Sequence, residues 1–177
     1  RCVYEISYKF DIPTIECGGI STWEDAEEFI LTDIKLSGSD HTGTILMGMD
    51  LSGRDLTDTI LTGADLTGAN LVGVDLSGRD LTGTTLAEVD LSGKDLTGTI
   101  LTGADLTNAN LSGIDLSYKD LTGTILDGVD LTGMNLTGTT LAEVDLSGKD
   151  LTGTILTRAD LTNANLAGVD LSGKDLT

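Results

Sequence analysis

From Leu46 to Leu176 a leucine stands at every fifth position without exception. Leu31 and Leu36 extend the series backwards, and His41 takes the one irregular slot. The other four places of each unit are nearly as regular. The residue two before the leucine is small or basic, and the residue just before it is mostly Asp or Asn. The residue after it is Thr or Ser at 21 of the 27 slots from 47 to 177, and the next is Gly at 20 of the 27 slots from 43 to 173. A strict period of five fits neither regular element. In an α-helix five residues advance by roughly 500°, which smears the leucines around the axis. In a continuous strand an odd period sends alternate leucines to opposite faces. Only a bend within each unit returns every leucine to one side, and glycine supplies such a bend because it tolerates positive φ without steric cost. The pattern therefore predicts a chain that turns a corner every five residues and winds into a stack of coils.

The first thirty residues follow another pattern. Cys2, Tyr4, Ile6, Tyr8, Phe10 and Ile12 alternate with polar residues, which predicts a strand ended by Pro13. Ile15 to Cys17 reads as a short return strand before Gly18-Gly19. Ser21 and Glu24 form a capping-box signature, and Trp23, Ala26, Phe29 and Ile30 recur at helical spacing, which predicts a short amphipathic helix over 22–31. Five of the six aromatic residues lie in this segment. A solenoid exposes apolar interior and unpaired edges at its ends, so the expected organisation is an N-terminal cap over 1–30 and a solenoid over 31–177.

The unit Ala-Asp/Asn-Leu resembles the pentapeptide-repeat family. It stands at Ala64-Asp65-Leu66, Ala69-Asn70-Leu71, Ala104-Asp105-Leu106, Ala109-Asn110-Leu111, Ala159-Asp160-Leu161 and Ala164-Asn165-Leu166. The resemblance implies an all-β fold, a right-handed quadrilateral β-helix with four units per coil and about seven coils. It also implies that the leucine and the residue two before it point inward. Some members of that family resemble B-DNA in shape and charge and bind type II topoisomerases such as gyrase. A cytoplasmic DNA mimic is therefore one reading of this chain. The other is a non-enzymatic structural or protein-interaction scaffold in an oxidising compartment: extracellular, cell-surface, periplasmic or luminal.

Charge and cysteine content bear on that choice. The net charge is −19, and residues 31–177 hold 22 acids against 8 bases. Such acidity argues against direct nucleic-acid binding and keeps a regular β-structure soluble. No apolar run approaches the length of a membrane span. Cys2 and Cys17 are the only cysteines, and both fall in the cap. A disulfide between them would contribute roughly 3 kcal/mol and would imply an oxidising compartment; two buried thiols are the alternative. The chain starts at Arg1 rather than Met, which a removed signal peptide or a cloning boundary would each explain.

The repeats offer no catalytic set, cofactor motif or metal motif. The only histidine, His41, occupies a leucine slot and reads as an imperfect core residue. The Thr and Ser hydroxyls have no base beside them in any motif. A four-unit coil places Asp55, Asp75, Asp95 and Asp115 on one face and Asp130, Asp150 and Asp170 on another, where stacked carboxylates repel and either cations or nearby bases would relieve them. Thr62, Thr82, Thr102 and Thr122 form a column whose partner places, Ile60, Asp80, Ile100 and Asp120, break any flat threonine array. Six bases stand in the inward slot where the family expects a small residue: Arg54, Arg79, Lys94, Lys119, Lys149 and Lys174. An unpaired charge in a dry interior costs several kcal/mol. Each base is therefore expected to widen its corner and bring its head group to solvent or a carboxylate.

Residues 84–120 and 139–175 match at 33 of 37 positions, at an offset of 55. Fifty-five residues are eleven units, so with four units per coil the second copy is expected a quarter-turn away from the first, across the extra stretch Thr124 to Gly138. The last unit stops at Leu176-Thr177, and end-to-end association through an open final coil is a further expectation.

Overall fold

The computed structural model describes residues 36–177. The chain divides into two compact units, Arg1–Ile34 and Lys35–Thr177. The predicted cap, its helix over 22–31 and the pair Cys2 and Cys17 lie outside the described residues.

The solenoid is a stack of twenty-residue coils. Its β-bridges are parallel and each joins a residue to the one twenty positions on, from Asp40↔Ile60 to Asp145↔Asn165. Each coil therefore has four sides, and each side is one pentapeptide unit. The leucines face inward: Leu66, Leu81, Leu86 and Leu106 are completely buried. Burying each contributes on the order of 1.5–3 kcal/mol. A narrow interior filled by one repeating side chain explains how a chain with 3% aromatics builds a core.

Each corner is a hydrogen-bonded turn. The carbonyl of the leucine accepts the amide three residues on, as in Ala64 N–H to Leu61 O at 2.9 Å. The third residue of every turn has φ between 56° and 75°. Glycine fills most of these places. Asp58, Glu88, Asn108, Tyr118, Glu143, Arg158 and Asn163 are held in the same left-handed conformation, at a cost of about 1–2 kcal/mol for a residue with a Cβ.

Coils do not pair equally along every side, and the inward slot decides where they do. All twelve bridges are made by an upper residue whose predecessor is Ala or Thr: Ile60 after Thr59, Asp65 after Ala64, Ile100 after Thr99, Asn110 after Ala109 and so on. Where that predecessor is Val, Ile, Met, Lys or Arg, no bridge to the coil beneath forms among the described residues. The amides agree. Asp105 N–H reaches Thr84 O at 3.0 Å, whereas Asp95, behind Lys94, makes no equivalent bond to Val74 O. A small inward side chain lets the two backbones close to hydrogen-bonding distance; a larger one holds that corner open.

The register continues unbroken through Asp120↔Thr140, Asn135↔Ile155 and Thr140↔Asp160. Leu96 therefore heads the side that carries Leu116, Leu136 and Leu156, and Leu151 heads the side that carries Leu111 and Leu131. The second sequence copy is rotated by a quarter-turn, and Lys149 leaves the column of Arg54 and Lys94.

Candidate functional site

The outward face of most units is built by the Asp or Asn just before the leucine. Its Oδ1 accepts the amide two residues on, as in Thr67 N–H to Asp65 at 3.0 Å, and usually the hydroxyl of the same residue, here at 2.6 Å. This satisfies an amide that neither the turn nor the coil beneath takes up. It also explains why Asp and Asn dominate the slot. The hydroxyl of Ser77, Thr97 or Ser117, then its amide, holds the carboxyl of Asp75, Asp95 or Asp115 below the ordinary carboxylate range.

The structure brings Asp55, Asp75, Asp95 and Asp115 into one column, and Asp130, Asp150 and Asp170 into another, at the twenty-residue repeat. Their mutual repulsion is visible: Asp95 raises the pKa of Asp75, and Asp150 raises that of Asp130. Nearby bases offset it. Arg79 lowers Asp75, Lys119 lowers both Asp95 and Asp115, and Lys174 lowers Asp150 and Asp170. Among the described residues no group of three or more His, Cys, Asp or Glu is placed to hold a metal ion.

Where lysine head groups go corrects the sequence expectation. The corners do widen, but the part-buried ammonium groups are held by backbone carbonyls rather than by a carboxylate. Lys94 Nζ donates to Leu71 O at 2.7 Å and Val74 O at 3.2 Å. Lys149 Nζ donates to Leu126 O at 2.6 Å and Val129 O at 3.0 Å. Lys119 reaches Leu96 O, and Lys174 reaches Leu151 O and Thr154 O. All four are half-buried. The first carbonyl in each case lies 23 residues back, at the turn of the coil beneath. Threonine hydroxyls in the same slot take the same carbonyl: Thr59 to Leu36 O at 2.7 Å, Thr84 to Leu61 O at 2.8 Å and Thr139 to Leu116 O at 2.8 Å. Sequence reasoning missed this shared role. Its signal was that Thr and Lys, both donors, alternate in one slot. Arg79 differs, because its Nε is enclosed and has no hydrogen-bond partner.

His41 sits half-buried in its leucine slot, with Nε2 at 2.8 Å from Ser39 Oγ. Burial lowers its pKa, partly offset by Asp40. Thr82 and Thr122 spend their hydroxyls on Asp80 and Asp120 at 2.6 Å, while Ile60 and Ile100 interrupt the column.

The family model of pentapeptide repeats, in eight copies, matches residues 30–68, 46–78, 80–117, 120–153 and 135–173. The chain belongs to the pentapeptide-repeat family. Among solved structures, this pentapeptide-repeat protein is similar to HetL from the cyanobacterium Nostoc sp. strain PCC 7120, a protein involved in heterocyst differentiation regulation. The two are 31% identical over 76% of this chain and 71% of that one, with a TM-score of 0.45. It is also similar to full-length QnrB1, a plasmid-mediated fluoroquinolone resistance protein, at 23% identity over 81% of this chain and 84% of that one, with a TM-score of 0.58. The QnrB1 likeness shows the repeat β-solenoid fold. Of curated proteins, the catalytic subunit of dihydroorotate dehydrogenase B from Pyrococcus furiosus is 58% identical over 31 residues, which are 18% of this chain and 10% of that protein. The Pyrococcus abyssi subunit matches at 55% over the same length. The chain spans about a tenth of the length of these curated relatives.

Proposed function

We propose that this pentapeptide-repeat protein is a non-enzymatic scaffold that presents its acidic sides to a basic protein partner. The observation that carries the reading is how the outward side chains are used. The Asp Oδ1 atoms and the Thr hydroxyls are committed to their own turns, as at Asp160 and Thr162. What faces solvent is a fixed pattern of carboxylate oxygens on a stiff stack, which suits electrostatic docking better than chemistry. The family supports this reading, and QnrB1, which shares the fold, is a plasmid-mediated fluoroquinolone resistance protein. The finer elements belong to the same proposal: a right-handed helix of about seven coils, a cap over residues 1–30, and residence in an oxidising compartment with Cys2 and Cys17 joined.

The gyrase-type reading requires one long side to be read continuously. The quarter-turn between the two sequence copies moves the second copy's acids to a different side, which favours a scaffold addressed on more than one side. The experiment is site-specific photo-crosslinking in the source cells from position 77 on one acidic column and position 132 on the other. A partner captured from these positions, and lost when Asp75, Asp95 and Asp115 are changed to Asn, supports the proposal. Capture that is indifferent to those substitutions overturns it. Mass spectrometry of unreduced, alkylated protein tests the compartment: two alkylated thiols would remove the case for export.

A further inference from the structure

The inward slots come in pairs of large residues, one on each of two successive sides. The first member is Val or Ile and the second is a base: Val74 with Arg79, Val89 with Lys94, Ile114 with Lys119, Val144 with Lys149, Val169 with Lys174. One pair departs. Val129 is followed by Met134. A lysine at 134 would be placed to donate to Leu111 O and Ile114 O, the positions 23 and 20 residues back that Lys94 and Lys149 occupy in their own coils. Methionine has no proton to give, so beyond the turn bond from Ile114 N–H to Leu111 O at 3.1 Å neither carbonyl receives a donor among the described hydrogen bonds.

At this place the surface opens. A cleft of about 420 Å³ lies between Ala109–Ile114 of one coil and Gly128–Asn135 of the next, lined in part by Leu111, Ile114 and Met134. Its walls stand apart, as they also do behind Val89, where Leu71 and Gly73 make no bonds to Asp90 and Ser92. One coil down, Leu91 N–H meets Asn110 O at 3.0 Å and Gly93 N–H meets Ser112 O at 2.9 Å; Leu111 and Gly113 make no such bonds to Asp130 and Thr132. Asn70 and Asn110 each tie down to the acid beneath, Asp50 at 2.9 Å and Asp90 at 3.0 Å. Asn135, above Asp115, makes no such tie among the described hydrogen bonds. The two sequence copies also diverge here: of their four differing positions, Ser112/Ala167 and Ile114/Val169 are cleft residues in the first copy.

We propose that this cleft binds a primary alkylammonium group, whose N–H donors take the carbonyls of Leu111 and Ile114 in place of the missing lysine. At Lys94, Lys149 and Lys174 the chain supplies its own ammonium to the equivalent pair of carbonyls, so the acceptor geometry suits one. Asp130 adds negative charge at the rim, since only its Oδ1 is engaged, by Thr132. Ile114 and the half-buried Met134 offer apolar surface to a methylene stem. Such a group could belong to a free diamine or to the side chain of a partner's lysine.

The test is an amide chemical-shift titration of the full chain in 150 mM-range salt, roughly physiological ionic strength. The probes are cadaverine in one arm and Nα-acetyl-lysine methylamide in the other. Saturable shifts confined to the amides of Leu111, Gly113, Asp130 and Asn135 are expected. A stronger response to cadaverine identifies a free diamine as the ligand, and a stronger response to the lysine derivative identifies a lysine side chain. Met134→Thr places a hydroxyl where Thr154 and Thr139 already donate to the equivalent carbonyl. It leaves net charge unchanged and should weaken binding at least tenfold, as should Met134→Lys. Met134→Leu keeps the slot apolar and should bind as the parent does. Absence of shifts with both probes, shifts spread evenly along the Asp columns, or full binding by Met134→Thr would each overturn the proposal.

Discussion

The Lys94 ammonium donates to the Leu71 carbonyl at 2.7 Å, and the Thr99 hydroxyl on the next side donates to the Leu76 carbonyl at 2.8 Å. One is charged and long and the other neutral and short, yet both place a donor on the turn of the coil beneath. Threonine does so while the backbones stay paired at Ile100; lysine does so where they have separated at Asp95. The lysine therefore replaces backbone hydrogen bonds that its own bulk prevents.

Lys94→Thr should accordingly be neutral or stabilising, because the hydroxyl keeps the bond and the smaller side chain lets Asp95 pair with the coil below. Lys94→Met should cost about 1 kcal/mol, the scale of a lost hydrogen bond to a partly exposed charged donor. Urea unfolding of the parent and the two variants decides it: a Lys94→Met protein as stable as the parent would mean the ammonium clamp contributes nothing.

Much of this architecture was legible in the leucine register, because a five-residue period with glycine at a fixed offset admits only a corner per unit. The four-sided coil came from the family resemblance and not from periodicity, which is blind to how many corners close a turn. The widening at Lys94 and Lys149 followed from side-chain volume. The destination of their ammonium groups did not, because Leu71 and Leu126 lie 23 residues back and no local pattern joins them. That Val89 or Ile114 would open a corner as Lys94 does was also hidden, since an apolar residue in an inward slot raises no local conflict. The Met134 vacancy becomes visible in the sequence only once the lysines are known to serve as donors.

Acid should unfold the protein through its Asp-capped turns. The hydroxyl and then the amide of Thr67, Thr82 and Thr162 lower the pKa of Asp65, Asp80 and Asp160 below the ordinary value of 3.8. A carboxyl depressed in the folded state stabilises it above the unfolded pKa, and that contribution is lost as pH falls through the folded pKa. Thermal unfolding midpoints should therefore stay level as pH falls toward about 5 and drop steeply below about 4. Asp160→Asn, which retains the acceptor oxygen, should show a smaller acid loss than the parent. A midpoint unaffected by pH down to about 2 would contradict this account of the turns.

Glu143 has φ of 64° in a place where most coils have glycine. Glu143→Gly should stabilise the protein by about 1 kcal/mol, the left-handed penalty less the added freedom of the unfolded chain. Asn163→Gly, at φ of 58°, should gain less, since asparagine tolerates that region better. Chemical denaturation of both variants measures the difference. A destabilised Glu143→Gly would show that its side chain contributes more than its backbone costs.

The dependence of coil pairing on the inward slot can be tested by reversing it at one corner. Ala104 is fully buried beneath the bridge Thr85↔Asp105, and Asp105 N–H reaches Thr84 O at 3.0 Å. Replacing Ala104 with Val puts into this slot the residue type found behind Asp75, Asp90 and Asp130, none of which bridges downward. The corner should open, with overpacking costing about 1–3 kcal/mol. Hydrogen exchange should then show faster exchange at the amides of Asp105 and Leu86, whose bonds cross that gap at 3.0 Å and 2.7 Å. Ala104 N–H, which closes its own turn on Leu101 O at 2.9 Å, should keep its protection relative to those two, because every widened corner retains its turn bond. If all three amides lose protection together, the coil has unfolded as a unit. If none does, side-chain size is not what sets the pairing, and the correspondence between Ala or Thr and the bridges needs another cause.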